Sequence, residues 1–410
     1  MQKITTYIFG LLLLLTFSCN IDNKELVLDG LYIGEIAMQG KSTPFKMQID
    51  EQEDGQIIAT IINGEEQIVL NEIERNGDSL HIPLHVFDIS LDLEIQNSAI
   101  SGTYTKHYED DYVLPITLHK GDEKFLLVNT DVKPANFAGK WDVTFIEPEA
   151  QDTTKAVGIF KQNENQVSGT FLTPLGDYRY LTGVADDKVM KLSTFDGNHA
   201  FLFEATLQDD GTLKGDFYSG KEWYESWSAL RDENIELPSP DSLTYLKKGY
   251  DRIQFSFPDL EGEKVSLTDE KYQGKVVIVQ IFGTWCPNCM DETKFLAEWY
   301  KANKDRGAEI IGLAYEQKDD FEYAKRRVEK MINKWDVDYD FLIAGTSDKE
   351  EASKTLPMLN QVISFPTMII LNKEGELVNI HTGFSGPGTG KYYEEFKANF
   401  NQKMDSLLAL

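Results

Sequence analysis

The hydrophobic periodicity of this 410-residue chain changes near residue 240, and this change constrains the fold more than any other feature. From about residue 26 to 232, apolar and polar residues alternate, as in "QIIATII", "SLHIPLHV" and "ISLDLEI". Turn-like breaks such as "EDG", "RNGDS" and "QDDG" separate these runs. Alternation of period two predicts half-buried antiparallel strands.

Beyond residue 250 the pattern is different. Continuous apolar runs such as "KVVIVQIF" and "EIIGLAY" indicate central buried strands, and stretches of helical spacing lie between them. In "DDFEYAKRRVEKMINKW" this spacing predicts a buried helix face made of Phe321, Ala324, Val328 and Ile332. Strands that alternate with helices predict an α/β domain whose sheet is partly parallel.

The β-rich half also repeats itself, at an offset of roughly 110 residues. "DGLYIGEI" near Gly30 is echoed by "AGKWDVTF" near Gly139, "QIIATI" by "QVSGTF", and "IQNSAISGTY" by "LQDDGTLKGDFY". We therefore predict a multidomain protein: two antiparallel all-β modules, each a meander curled into a sandwich or partial barrel, followed by the α/β domain. The predicted ranges are 26–124 for module 1, 134–232 for module 2, 233–249 for a linker and 250–410 for the α/β domain.

Charge and cysteine content exclude some classes of protein. The net charge of −28 argues against binding to nucleic acid or to an anionic membrane surface. The acidity is interpreted as a means of solubility, with a site for basic partners as the alternative. Three cysteines, Cys19, Cys286 and Cys289, are too few for a small secreted scaffold held by disulfides.

The first twenty residues have the layout of a secretory signal: Lys3, a short apolar run and then Cys19. The run from residue 7 to 17 is too short to span a bilayer comfortably. Ser18 before Cys19 resembles the lipobox of bacterial lipoproteins, which implies removal of residues 1–18 and a lipid on the Cys19 sulfur. A plain cleavable signal and an uncleaved anchor are the alternatives. All three place the rest of the chain outside the cytoplasm.

The stretch "FGTWCPNCMDE" holds Cys286 and Cys289 two residues apart. A structural zinc site needs four ligands, and no second pair follows. A c-type haem needs histidine after the second cysteine, where the chain has Met290. A working dithiol fits best, because Cys286 follows a buried strand at the start of a predicted helix, where the helix dipole favours a thiolate. A structural disulfide, which would add little stability, remains an alternative.

Residues 250–408 are similar to the TlpA/ResA-like thiol-disulfide oxidoreductases of bacterial envelopes, in the AhpC/TSA-redoxin-like part of the thioredoxin superfamily. "FSFPDLEGEKVSLTDEKYQGKVVIVQIFGTWCPNC" and "ISFPT" carry the resemblance. It implies a thioredoxin-like fold with Cys286 as nucleophile and Cys289 as resolving cysteine. It also implies that Trp285 flanks the thiol and that Pro366 is cis and helps dock an extended partner segment.

The resemblance assigns a proton relay as well. Thioredoxin has a buried aspartate six residues before its first cysteine, whereas this chain has Gln280. The ResA-like branch has a glutamate three residues after the second cysteine, which is Glu292 here. Glu292 is therefore the expected proton relay, and an ordinary exposed helix glutamate is the alternative.

The function that these features imply is reduction of protein disulfides in the cell envelope, with cytochrome c maturation as one destination. Electrons would come from a membrane thiol donor, and neither a cofactor nor a metal is expected. The alternatives are a thiol peroxidase, a disulfide isomerase or oxidase, and an envelope binding protein that uses its β-modules.

The β-modules themselves offer few candidate site residues. Trp223, Tyr224 and Trp227 in "KEWYESW" are interpreted as core packing rather than a ligand site. His81 and His85 have no other ligands at suitable spacing, so a metal site there is not expected. The modules are interpreted as a spacer or docking platform.

Overall fold

The computed structural model describes residues 28–84, 86–96, 99–121, 132–149 and 152–409. The predicted leader with Cys19, and His85, lie outside these residues. Two large antiparallel sheets precede a mixed five-stranded sheet with four α-helices, as the sequence predicts. Within the described ranges, no helix combines the length and the apolar character needed to cross a bilayer.

The first sheet has nine antiparallel strands in the order β4-β3-β2-β1-β9-β8-β7-β6-β5. Its strands are β1 (Gly30–Met38), β2 (Lys41–Glu51), β3 (Ile57–Asn63), β4 (Glu66–Leu70), β5 (Glu74–Asn76), β6 (Ser79–Pro83), β7 (Ile89–Gln96), β8 (Ala99–Lys106) and β9 (Val113–Lys120).

The period-two pattern explains these strands. Along β3, alternate residues are buried, from Ile57 to Asn63, because successive side chains of a strand point to opposite faces of the sheet. The turns that the sequence predicts contain Gly55 and Gly77 with φ of 83° and 63°, a conformation that glycine adopts without steric cost.

The second sheet also has nine strands, in the order β11-β10-β18-β17-β16-β15-β14-β12-β13. Its strands are β10 (Gly139–Ile146), β11 (Thr153–Asn163), β12 (Gln166–Thr173), β13 (Gly176–Asp177), β14 (Leu181–Asp186), β15 (Val189–Phe195), β16 (Ala200–Leu207), β17 (Leu213–Ser219) and β18 (Trp223–Arg231).

The two sheets differ in closure. In the second sheet β12 pairs with both β11 and β14, so the sheet closes into a barrel. The corresponding strands of the first sheet are β3 and β5, and these do not pair within the described part of the chain, so the first module is an open half-barrel. The echoed segments near Gly30 and Gly139 are β1 and β10, so the sequence repeat corresponds to a structural repeat.

The hydrophobic cores of the closed and the open module also differ. The closed barrel encloses its own aromatic core, which includes Trp141, Phe171 and Phe203. The interior of the open half-barrel belongs to one apolar cluster that continues into the α/β domain. The first module is therefore joined to that domain through buried apolar side chains.

The α/β domain has a five-stranded sheet in the order β23-β22-β21-β24-β25, with β21, β22 and β23 parallel and β24 and β25 antiparallel. A small hairpin precedes the sheet. The elements are β19 (Ser256–Pro258), β20 (Lys264–Ser266), β21 (Val276–Phe282), α1 (Pro287–Asn303), β22 (Ala308–Glu316), α2 (Phe321–Trp335), β23 (Asp340–Thr346), α3 (Lys349–Thr355), β24 (Thr367–Leu371), β25 (Leu377–Thr382) and α4 (Lys391–Ala409).

Helix α2 buries a slightly different face from the predicted one. Ala324 and Val328 are buried as expected, but Tyr323 and Met331 are buried in place of Phe321 and Ile332. The reason is that α2 also contacts the first module: Tyr323 donates a hydrogen bond to Asp88, at 3.0 Å. A second partner rotates the buried stripe, which periodicity alone does not reveal.

The second half of the predicted linker 233–249 is attached to the α/β domain. Asn360 donates a hydrogen bond from its amide to the Leu243 carbonyl oxygen, at 3.0 Å, and accepts one from the Tyr245 N–H, at 2.9 Å. Leu246 forms an isolated β-bridge with Leu359. Residues 243–246 therefore pack as part of that domain.

Arg179 connects all three parts of the molecule. Arg179 lies in the closed barrel of the second module, which we call the second barrel, and is 6% exposed. It forms ion pairs with Glu66 of the half-barrel, Asp196 of its own barrel and Asp291 on α1. A buried guanidinium needs such partners, because an isolated charge in the interior is costly. The ion pairs fix the second barrel against the helix that carries the cysteine pair.

Candidate active site

The cysteine pair lies where the sequence predicts, at the end of a buried strand and the start of a helix. All seven residues of β21 are buried, and Cys286 is the N-cap of α1, with Pro287 in the first turn. Cys286 and Cys289 form a disulfide with their Cα atoms 5.2 Å apart. The Cys289 N–H donates to the Cys286 sulfur, at 3.2 Å. This is the position at which a helix favours a thiolate.

The two cysteines differ in exposure. Cys286 is 6% exposed, whereas Cys289 is fully buried. The Cys286 sulfur also lies 3.5 Å from the Phe365 carbonyl oxygen. An incoming group can therefore reach Cys286 but not Cys289.

The loop opposite the disulfide contains Pro366, and the Phe365–Pro366 peptide bond is cis. The Phe365 ring packs edge-on against Trp285, with ring centroids 5.6 Å apart. The Trp285 indole N–H donates to the Tyr315 carbonyl oxygen, at 2.9 Å. Trp285 is thus held between the cysteine pair and the proline loop.

Glu292 lies inside the domain, one helical turn after Cys289. It is fully buried, so the alternative of an exposed helix glutamate is wrong. Gln280 donates to one of its carboxylate oxygens, at 3.0 Å, and the other oxygen has no hydrogen-bond partner in the described structure. Burial raises the pKa of Glu292 to about 8, since desolvation disfavours the charged form.

Gln280 is held by two more side chains. Its carbonyl oxygen accepts hydrogen bonds from Thr293, at 3.3 Å, and from Tyr339, at 3.2 Å. This arrangement directs the Gln280 amide group toward Glu292. Gln280, which stands where thioredoxin has its aspartate, therefore orients the carboxylate of Glu292.

Sequence reasoning missed a second buried carboxylate, Glu316 at the end of β22. It accepts hydrogen bonds from the backbone N–H and the hydroxyl of Thr284, both at 2.8 Å. Burial raises the pKa of Glu316 to about 7. The signal in the sequence is an acidic residue directly after the apolar run "EIIGLAY". Glu316 fixes the backbone two residues before Cys286.

Residues of the second barrel also reach the disulfide, which sequence reasoning did not predict. A cavity of about 260 Å³ lies over Cys286. The α/β domain lines it with Cys286, Trp285 and Phe365, and the barrel lines it with Leu175, Tyr178 and His199, among others. The barrel is therefore part of the surroundings of Cys286.

His199 is held in place by a buried carboxylate. Its Nδ1 lies 3.0 Å from Asp196 Oδ2, and its ring stacks on Phe201. Burial by itself would raise the pKa of Asp196, but His199 and Arg179 outweigh this effect and hold it at about 2. Asp196 is thus an anion that orients the imidazole at the cavity wall.

Other predicted candidates lie away from the disulfide. Trp227 is buried in the core of the second barrel, as predicted. Trp223 is 49% exposed, so the interpretation as core packing is wrong for this residue. His81 pairs with Asp92, with Nδ1 and Oδ1 2.6 Å apart. No group of three or more metal-ligating side chains is found among the residues for which the structure gives positions.

Three features together define a class of protein: a cysteine pair at a helix start, a cis-proline loop opposite it, and a mixed sheet with flanking helices. The C-terminal part of this chain is a thioredoxin-like redox enzyme, a thiol-disulfide oxidoreductase.

Comparison with known proteins agrees with this class. The AhpC/TSA family model matches residues 249–380. Thiol-disulfide oxidoreductase ResA of Bacillus thuringiensis subsp. konkukian is 30% identical over 149 residues, which are 36% of this chain and 75% of that protein. ResA of Bacillus subtilis is 27% identical over 138 residues, 34% of this chain and 69% of that protein. The chain belongs to the family of ResA thiol-disulfide oxidoreductases.

A solved structure is also similar to part of the chain. It is a thiol:disulfide interchange protein of the thioredoxin family from Chlorobium tepidum TLS, 19% identical, which covers 40% of this chain and 98% of its own, with a TM-score of 0.30.

Proposed function

We propose that the protein reduces disulfide bonds of proteins in the cell envelope, with Cys286 as the attacking residue. The observation that carries this proposal is the difference in exposure between the two cysteines, 6% for Cys286 and none for Cys289. The more exposed cysteine, at the helix N-terminus, is the one that a substrate disulfide can reach and whose thiolate is favoured.

The reaction has two exchange steps. In the reduced protein, the Cys286 thiolate attacks one sulfur of the substrate disulfide, and the other substrate sulfur leaves as a thiolate that takes up a proton. Cys289 then loses its proton and attacks Cys286, which releases the second substrate thiol and forms the Cys286–Cys289 disulfide. Two electrons and two protons pass to the substrate. A dithiol donor returns the protein to its reduced form by the reverse exchange.

We propose that Glu292 accepts the proton that Cys289 loses. The two residues lie at i and i+3 on α1, on the same side of the helix. A carboxyl group with a pKa of about 8 can accept and return a proton near neutral pH.

Trapping tests the assignment of Cys286. In the Cys289→Ser variant the first exchange proceeds and the second cannot, so a disulfide-linked adduct with a substrate protein is expected to accumulate. Non-reducing gels and mass spectrometry of the adduct identify its partner and the linked cysteine. The double variant Cys286→Ser/Cys289→Ser is the control and forms no adduct. An adduct linked elsewhere, or equal amounts in both variants, would contradict the proposal.

The Glu292→Gln variant tests the proton relay. Because general acid–base catalysis contributes about 10²–10⁴-fold, we expect resolution of the mixed disulfide to slow by roughly 100-fold. The stability of the folded variant, in contrast, should be higher than that of the wild type at high pH. The raised pKa of Glu292 makes the wild type lose stability as pH rises from about 4.5 to about 8, and the variant lacks this loss.

Rapid-mixing kinetics and urea unfolding at pH 6 and pH 9 measure the two effects. Glu298→Gln changes an exposed glutamate of the same helix and should alter neither. A slower rate together with lower stability at pH 9 would point to a purely structural role for Glu292.

We further propose that Cys19 carries a lipid, which would anchor the protein outside the cytoplasm, where a membrane thiol donor can reduce it. This rests on the resemblance of residues 1–19 to a lipoprotein signal. Apocytochrome c is a candidate substrate, because it presents a cysteine pair. The Cys19→Ser variant, which should lose its membrane association in cell fractions, tests the anchor.

A further inference from the structure

The hairpin formed by β12 and β13, residues 172–177, rests against the cis-proline loop. At its tip, the Leu175 carbonyl oxygen accepts a hydrogen bond from the Ser364 hydroxyl, at 2.8 Å. At its second strand, the Asp177 carbonyl oxygen accepts one from the Asn288 side chain, at 3.1 Å. A segment of the second barrel is thus hydrogen-bonded to residues on either side of Cys286.

The backbones meet closely along this contact. A Cβ atom at Gly383, whose φ is 77°, would lie 2.7 Å from the Leu175 carbonyl group, so a larger residue would push the hairpin away. Gly383 itself donates a hydrogen bond from its N–H to the Pro366 carbonyl oxygen, at 2.9 Å. The hairpin therefore occupies space directly beside the cis-proline.

Neighbouring contacts keep the barrel in this position. The Asp177 carboxylate accepts a hydrogen bond from the Gly386 N–H, at 2.7 Å. The Asn198 side chain donates to the Trp285 carbonyl oxygen, at 2.8 Å. Arg179, two residues beyond the hairpin, makes its ion pair with Asp291 on α1. Such buried contacts are costly to break, because each would leave a polar or charged group without its partner.

The space that remains over Cys286 is small. The cavity of about 260 Å³ is smaller than the range of roughly 300–1,000 Å³ that is typical of small-molecule sites. Leu175 and His199 are among the residues that line it on the barrel side. It can admit a few side chains of an extended segment but not the surface of a folded domain.

We propose that this hairpin determines substrate specificity: it restricts Cys286 to disulfides in thin, extended or unfolded segments and excludes disulfides on compact folded proteins. The inference rests on the proposed function and names its substrate class. Leu175, at the tip of the hairpin, is the residue that sets the width of the entrance.

The test compares two substrates of the reduced full-length protein: a short linear peptide with one internal disulfide, and insulin. We expect kcat/KM to be at least about tenfold higher for the peptide, a ratio that steric exclusion can supply. Leu175→Ala should reduce this ratio by raising the rate with insulin. Leu175→Trp should increase the ratio by lowering the rate with insulin more than the rate with the peptide.

Leu175 is 39% exposed, so neither substitution should prevent folding. Leu230→Trp, at a 59% exposed leucine of the same barrel, is the matched control and should leave the ratio unchanged. If the ratio is the same in the wild type and both Leu175 variants, the hairpin moves aside during docking and the inference is overturned. If neither substrate is reduced, the proposed function itself has failed.

Discussion

The Cys286→Ser variant is expected to reduce disulfides at least roughly a thousandfold more slowly than the wild type, because the substitution removes the proposed nucleophile and with it the covalent step. A serine hydroxyl does not ionise near neutral pH and cannot form a mixed disulfide. Cys289 cannot take over, since its sulfur is fully buried behind Cys286. Reduction of insulin or of a disulfide peptide, with dithiothreitol as the electron donor, measures the effect.

The control uses the third cysteine of the chain. Cys19→Ser should retain the wild-type rate in the same assay, even where it changes membrane association. Circular dichroism shows whether the Cys286→Ser variant is folded. A folded variant with a rate close to that of the wild type would mean that the disulfide is structural and that another group reacts.

The Arg179→Ala variant is expected to have a free energy of unfolding lower by roughly 3–5 kcal/mol, the cost of breaking a buried ion pair from one side. The substitution removes the guanidinium that three carboxylates share: Asp196, whose side chain is fully buried, and Glu66 and Asp291, whose side chains are each 10% exposed. Urea unfolding followed by tryptophan fluorescence measures the loss. Since the three carboxylates belong to three different parts of the molecule, the transition should also become less cooperative.

Lys188→Ala provides the comparison. Lys188 pairs with Asp209 on the surface of the same barrel, with side chains 52% and 94% exposed. Exposed pairs contribute about 0–1 kcal/mol, so this variant should unfold nearly as the wild type does. Equal effects of the two substitutions would show that Arg179 does not hold the three parts together.

The sequence alone was sufficient to predict the fold and the site where nearby residues determine the local structure. The apolar run before Cys286 and the proline after it specify a strand followed by a helix start. Alternation of apolar residues specified the β-modules, and the internal repeat revealed that the second is a copy of the first. The closure of the second module, which depends on pairing between β12 and β14, is not visible in either copy of the repeat.

The sequence was insufficient where distant segments meet. Leu175 and His199 lie about 110 and 90 residues before Cys286 along the chain, and no periodicity indicates that they line its cavity. Helical spacing places Glu292 near Cys289, but its burial depends on how the whole sheet packs against α1. For the same reason, the role of Gln280 was missed: a polar residue in an apolar strand becomes informative when its partner is known.

The unequal accessibility of the two sulfurs has a consequence for turnover in a living cell. In the proposed function, the molecule that delivers electrons and the molecule that receives them both react at the sulfur of Cys286, since Cys289 is fully buried. They cannot occupy it together, so each must depart before the other arrives. The protein would then transfer one electron pair in each catalytic cycle. Its turnover rate would depend on how quickly the electron donor and the substrate replace each other at Cys286.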